Sequence, residues 1–205
     1  MPRISRKSLA IPADRLAPAL LGAVLHRRLP DGTRLAGRIV ETEAYLGPKD
    51  RCSHAFGGRR TPRNESMYAR PGTAYVYFTY GMHFCMNVVC GAVDEPVAVL
   101  LRALEPLTGL EAMRARRAGR GRTVPDTGLC SGPGKLCQAL AVDRSLDGVD
   151  LVESPDLWLE PGDPPARVVR AARVGVGEGH RWAVARLRWY DRDSRHVSVR
   201  TKRER

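Results

Sequence analysis

TAYVYFTYGMHFCMNVVC, residues 73–90, contains two runs rich in β-branched and aromatic residues, 73–79 and 83–90, meeting at Tyr80-Gly81-Met82. Two such runs around a short glycine-containing tip are the pattern of a β-hairpin. Packing between the strands accounts for aromatics inside them. It does not account for Tyr80, whose ring the turn would direct into solvent.

The flanking segments supply the rest of a sheet. Residues 34–46 suit a strand whose period of two puts Glu41, Glu43 and Tyr45 on one face and Val40, Thr42 and Leu46 on the other. Residues 97–104 read as another strand, apolar except for Arg102. A guanidinium there is costly unless it faces a carboxylate or a wet cleft, and Glu41 or Glu43 could be its partner. A structural salt bridge explains the pair as well as a catalytic role does. Residues 168–176 and 185–190 complete the predicted strands.

Between the strands, residues 47–71 have no sustained period and predict a long irregular loop, a common place for function. Residues 13–25 predict a short helix broken by Pro18. Thr108-Gly-Leu-Glu111 has capping-box spacing ahead of a helix that runs into the arginines of 114–122. Ser131 is a plausible N-cap for a helix carrying Leu136, Leu140 and Ala141. The expectation is a mixed α/β (α+β) fold, one domain spanning 1–205, with a basic C-terminal tail from about residue 192 to 205.

The chain has 205 residues, 43% of them hydrophobic, enough for a sizeable core. No stretch approaches the roughly 18 consecutive apolar residues of a membrane span, and the N-terminus lacks the apolar run of a secretion signal. A soluble intracellular protein is expected, placed in the cytoplasm or nucleoid of a bacterium or the nucleus of a eukaryote. Five cysteines without a CxxC pair read as reduced packing thiols. Lys and Arg outnumber Asp and Glu by 34 to 22, a net charge of +12, which favours a polyanionic partner. Only four of the 34 basic residues are lysines, and the planar arginine fork suits phosphate.

Several familiar motifs fail on inspection. Leu129 stands where a Walker A loop ending at Lys135 needs its first glycine, and Leu136 follows the lysine. His180 occupies the third glycine position after Gly175 and Gly177, which therefore read as a turn. His54 and His83 lack ligand-like spacing to other metal-binding side chains, so neither metal nor cofactor is expected. Ser131 and Lys135 at a helix start could still hold one phosphate. In so basic a chain, a bulky residue at a hairpin tip can enter a groove and wedge between bases.

RIVETEAYLG (38–47), TPRN (61–64), YVYFTYGM (75–82), LLRALEP (100–106), LCSGPGKLCQ (129–138) and ARVGVG (172–177) follow one another through nearly the whole chain. In these six collinear motifs the chain closely resembles the alkyladenine (3-methyladenine) DNA glycosylase family; the helix-hairpin-helix signature of other glycosylases is not found. The resemblance implies a single compact domain around a curved antiparallel sheet with a protruding hairpin that enters the DNA minor groove. It implies a monofunctional hydrolase that removes alkylated or deaminated purines, flipped out of duplex DNA, in base excision repair. Water would be the nucleophile and the strand would remain uncut.

Carried over by motif, Tyr80 is the wedge, with Met82 and His83 beside it in the groove. Tyr45 and His54 sandwich the flipped purine, Tyr77 closes an edge, and Asn87 rejects the exocyclic amino group of guanine. Glu43 is the general base, while Arg102 and the backbone carbonyl of Val174 hold the attacking water; Glu41, one pleat away, is the alternative base. Arg59, Thr61, Arg63, Ser131 and Lys135 hold phosphate. The partner implied is double-stranded DNA with a damaged purine, bound by a monomer, with no membrane involved. His83 and Phe78-Thr79 depart from some relatives, which leaves groove contacts and lesion preference free to differ. The chain starts almost at the matched motifs, so the long N-terminal extension of some relatives is expected to be absent. Two rival readings fit the same residues: a nucleic-acid-binding module without chemistry, and an RNA-directed enzyme.

Overall fold

The computed structural model describes residues 2–118, 123–177 and 179–201. Residues 119–122 of the arginine cluster, Glu178 of the glycine-rich turn and residues 202–205 of the basic tail lie outside the described residues.

The strands are β1 (Val24–Arg28), β2 (Arg34–Tyr45), β3 (Ala74–Thr79), β4 (His83–Cys90), β5 (Val97–Thr108), β6 (Leu157–Glu160), β7 (Val168–Ala171) and β8 (Arg188–Asp191). They form one sheet in the order β3-β4-β5-β2-β1-β6, with β8 pairing both β2 and β7. The helices are short: α1 (Arg6–Leu9), α2 (Ala13–Ala19), α3 (Leu110–Arg117), α4 (Asp126–Leu129), α5 (Pro133–Ala139) and α6 (Arg181–Val184). The result is a mixed α+β domain around a curled antiparallel sheet.

The curl originates in β2. Its first residues pair with β1, Glu41 to Glu43 pair with β8, and β5 runs antiparallel along its other edge. Where β2 passes from one neighbour to the next, the register with β5 shifts on both sides of Glu41, and Val40 and Arg102 have no opposite number. Bulges of this kind bend a strand, increase its twist and re-aim side chains. Here they set Arg102 beside both Glu41 and Glu43.

Alternation along β3, β4 and β5 produces two covered faces. Ala74, Val76, Met86, Val88, Val99 and Leu101 join the main core, which also receives residues of α2, α3 and α5. Their neighbours Tyr75, Val89 and Ala98 point the other way and form a second, smaller core with Ala55, Met67 and Tyr68 from the loop after β2. The long loop is therefore a lid of fixed structure on the second face. It contains three 3-10 turns. Buried Asn64 holds it together, accepting from the Thr61 N–H at 2.7 Å and the Thr61 hydroxyl at 2.9 Å, and donating to the carbonyls of Arg59 at 2.8 Å and His54 at 3.2 Å.

Some local expectations are corrected. The helix predicted for 13–25 ends at Ala19, because Gly22 turns the chain and Val24 begins to pair with β2; β1 and its neighbour β6 were not anticipated. The capping box does not form. Thr108 is the last residue of β5, and α3 starts from Gly109 at φ 79°, where a Cβ would lie 2.4 Å from Leu35. Ser131 is not an N-cap either, since Gly132 holds that position while Ser131 bridges to Ala103. The strand predicted for 168–176 stops at Ala171, which frees Val174 to turn toward Glu43.

Replacing Asn64 with alanine strands several loop groups at once, and a buried polar group left unpaired costs about 1–3 kcal/mol. Asn64→Ala is expected to lose on the order of 3 kcal/mol, read as a lower midpoint in urea unfolding at unchanged m-value.

Candidate functional site

A cleft of about 280 Å³ opens on the second face of the sheet. It lies between the long loop, the β3–β4 hairpin, β5 and the segment after β7; Tyr45, His54, Tyr77, Asn87, Arg102 and Val174 all line it. The residues expected to form the base pocket and to hold the water are thus brought together from five separate parts of the chain.

Glu43 lies fully buried where these elements meet. Its Oε1 accepts the Val174 N–H at 2.8 Å and sits 3.2 Å from Arg102 Nη1, while its Oε2 accepts the Tyr45 hydroxyl at 3.1 Å. Burial pushes this carboxyl above its ordinary value, and Arg102, the Val174 N–H and the Tyr45 hydroxyl pull the other way without cancelling it. Burial also works against the charge on Arg102, but Glu43 and Glu41 more than offset it and hold that guanidinium firmly protonated. Glu41 faces the same arginine from the other side, at 3.1 Å, and is sealed by further donors. Apart from Arg102, its partners Arg188 and Ser198 do not line the cleft, whereas Tyr45, Arg102 and Val174, the partners of Glu43, all do.

The aromatic walls are individually fixed. Arg173 covers one face of Tyr45 at 4.7 Å and is itself held by a buried two-pronged pair with Asp50, at 2.6 and 2.8 Å. His54 meets Tyr77 edge-on at 4.5 Å, and its Nδ1 shares a 2.7 Å hydrogen bond with the hydroxyl of buried Tyr75. Desolvation by the cleft walls, with Arg63 and Arg59 nearby, lowers the His54 pKa, so the ring is neutral at pH 7. Asn87 is buried, and its Nδ2 donates to the Tyr75 carbonyl at 3.1 Å, which fixes the direction of its amide.

The hairpin tip borders the cleft through Thr79 and Tyr80. Tyr80 and Gly81 both have positive φ, 52° and 67°, and the Met82 N–H returns to the Thr79 carbonyl at 3.2 Å. Hairpin turns of the I′ kind use two such residues, matching the strand twist. A tyrosine in that conformation is strained, a feature that clusters at functional sites. Tyr80 is 79% exposed and Met82 68% exposed. Behind the tip, Phe78 packs on Phe84, Arg63 donates to the Phe78 carbonyl at 2.9 Å, and His83 rests against Gly134.

The expected phosphate contacts are more scattered in their availability. Arg59 and Lys135 are exposed. Arg63 is exposed too but already braces the hairpin, Thr61 donates its hydroxyl to Asn64, and half-buried Ser131 adjoins the start of α5. Arg60, part of the same basic run, is paired with Glu65 and Asp94 and stacked over Tyr68. Sequence reasoning missed Tyr75 as the partner of His54, Asn64 as the loop's centre, the Arg173–Asp50 pair and the N–H of Val174. Only Tyr75 left a signal, sharing the alternation of Tyr77.

A family model described as methylpurine-DNA glycosylase matches residues 7–195. The mouse (Mus musculus) protein named DNA-3-methyladenine glycosylase is 54% identical over 197 residues, covering 92% of this chain and 59% of its own length. The human (Homo sapiens) protein of that name is 55% identical over 197 residues, covering 92% and 65%, and the rat (Rattus norvegicus) protein 52% over 195 residues, covering 92% and 61%. The chain spans about three fifths of the length of these relatives.

The neutral state of His54 is measurable without any substrate. Its ring is expected to titrate below the ordinary 6.5 in an NMR pH series, and Arg63→Gln, which removes a nearby positive charge, moves the midpoint up.

Proposed function

The chain belongs to the methylpurine-DNA glycosylase family, and we propose accordingly that it hydrolyses the N-glycosidic bond of alkylated or deaminated purines in DNA, in base excision repair. One observation supports this beyond family membership: a buried carboxylate, Glu43, is bonded to three residues of a cleft walled by aromatic rings.

In this scheme the damaged nucleotide rotates out of the duplex and Tyr80 fills the space it leaves, with Met82 and His83 alongside in the minor groove. Extrusion costs a few kcal/mol, least for a weakly paired base, so the damage itself contributes to selection. The purine enters between Tyr45 and His54, against Tyr77. An arginine already covers one face of Tyr45 and another lies 5.9 Å from Tyr77, so stacking contributes more to binding than attraction for a positive base does. The fixed amide of Asn87 would oppose the exocyclic amino group of guanine.

Water then attacks the anomeric carbon as the C1′–N bond breaks with oxocarbenium character. The electron pair of that bond leaves with the purine, and the proton of the water passes to Glu43. An ionised Glu43 both stabilises the developing positive charge and removes the proton. Arg102 and the Val174 carbonyl hold the water; the Val174 N–H, donated to Glu43, keeps that backbone beside the carboxylate. The raised pKa of Glu43 makes it a stronger base than an exposed glutamate. The nucleophile is water rather than an amine, which leaves an abasic site in an uncut strand. Arg59, Thr61, Arg63, Ser131 and Lys135 would contact phosphates. The glycosylase domain is assigned to residues 1–205, acting as an intracellular monomer on duplex DNA, without a cofactor.

Duplex oligonucleotides carrying one lesion each, assayed for free purine and alkali-labile sites, test the scheme. The native chain is expected to release purine, and Glu43→Gln to lose at least roughly 10²-fold in single-turnover rate while still binding the duplex. A binding module without chemistry would give no release from either protein, and an RNA-directed enzyme would release base from single-stranded RNA with no preference for duplex DNA.

A further inference from the structure

Behind the cleft, Glu41 has no part in the reaction scheme, yet three donors converge on it. Its Oε1 accepts from Arg102 Nε at 3.1 Å and Arg188 Nη1 at 2.7 Å, and its Oε2 accepts the backbone N–H of Ser198 at 2.7 Å. Ser198 belongs to the segment after β8, which comes back to Glu41 of β2. Arg188 Nη1 also donates to the Val199 carbonyl at 2.7 Å, and Arg102 Nη2 reaches the Ser198 hydroxyl at 3.3 Å. The segment is tied down further by Arg200, which donates to the Arg192 carbonyl at 2.8 Å, and by the Thr201 N–H, 3.4 Å from the Tyr190 hydroxyl. Ser198 and Val199 lie beyond residues 7–195, the stretch that the family model matches.

We propose that the strap formed by residues 196–201 positions Arg102 for the reaction by occupying Glu41 from the far side. The proposal rests on Glu43 being the base. An arginine and a carboxylate favour a two-pronged pair. With Oε2 of Glu41 filled by the Ser198 N–H and Oε1 shared with Arg188, Arg102 gives Glu41 only its Nε and keeps Nη1 turned to Glu43 at 3.2 Å. Without the Ser198 N–H, Oε2 of Glu41 becomes free to draw the guanidinium away from Glu43. Ser198, Arg188 and Glu41 are positioning residues, since each acts through Arg102.

The acid limb of the pH–rate profile reports this directly. The groups facing Glu43 are Arg102 from β5, Glu41 and Tyr45 from β2, Tyr77 from β3 and Cys85 from β4, with Cys52 from the loop next to them. Arg102 is the cation among them, so turning it away makes Glu43 harder to ionise and moves the limb to higher pH.

The test compares Ser198→Pro, which lacks the N–H, with Ser198→Ala, which keeps it, both in the whole 205-residue chain. Both are assayed with a lesion-bearing duplex, in parallel with the native chain, over a range of pH. Ser198→Ala loses the 3.3 Å hydroxyl contact with Arg102 but keeps the N–H on Glu41, so it is expected to fall less than Ser198→Pro and to leave the acid limb in place. Ser198→Pro is expected to fall roughly tenfold in kcat with KM little changed, its acid limb shifted upward. Arg188→Gln removes another donor to Glu41 and is expected to move the same readouts the same way, which covers the case where Ser198→Pro does not fold. A native rate and profile in both Ser198→Pro and Arg188→Gln, a change in them confined to KM, or a lower kcat with an unmoved limb would overturn the proposal. Absence of purine release from the native chain would instead defeat the glycosylase scheme itself.

Discussion

Two carboxylates, Glu41 and Glu43, stand on the central strand of a sheet that is covered on both faces, and neither could remain there without compensation. Burial of an unpaired charge costs several kcal/mol, so the surrounding structure has to supply cations and donors. Arg102 is set between them by paired register shifts in β2 and β5, and Arg188 reaches Glu41 from β8. The two carboxylates differ in where their partners lie. Glu41 is saturated from behind, whereas the partners of Glu43 are themselves walls of the cleft.

The other elements preserve that arrangement against solvent. The long loop closes the second face by packing Met67 and Tyr68 against Tyr75 and Val89, and Asn64 keeps its turns in place. Tyr75 also bonds His54, so one residue contributes both to the packing of the loop and to the orientation of a cleft wall. The Arg173–Asp50 pair links the start of that loop to the segment carrying Val174 and supports Tyr45 from the side away from the cleft. These bonds converge on the carboxylate, while Tyr80, exposed and at positive φ, stands at the hairpin tip bordering the cleft.

Much of this was legible in the residues themselves. The hairpin, with its exposed tyrosine, followed from two β-rich runs around Gly81, and the meeting of Glu43 with Tyr45 followed from alternation along one strand. Arg102 announced itself as a cation in an apolar strand. What alternation could not express was the pair of register shifts that gives Arg102 both glutamates, because a bulge depends on the neighbouring strand as much as on the local sequence. The same limit explains β1, whose first residues pair with β2 rather than extend the helix predicted over 13–25, and α3, whose entry is set by a close approach between Gly109 and Leu35. The strap that completes Glu41 was invisible for another reason: a backbone N–H carries no sequence signal.

Glu43, held by Arg102, the Val174 N–H and the Tyr45 hydroxyl, is the centre of the account, and its ionisation is the property to measure. The most direct measurement is single-turnover purine release as a function of pH, for the native chain and for Tyr45→Phe, which removes one donor while keeping the ring. The acid limb should lie above the ordinary glutamate value of 4.5 and move higher still in Tyr45→Phe. A limb at or below 4.5, or one that Tyr45→Phe leaves in place, would contradict the assignment of Glu43 as the buried base.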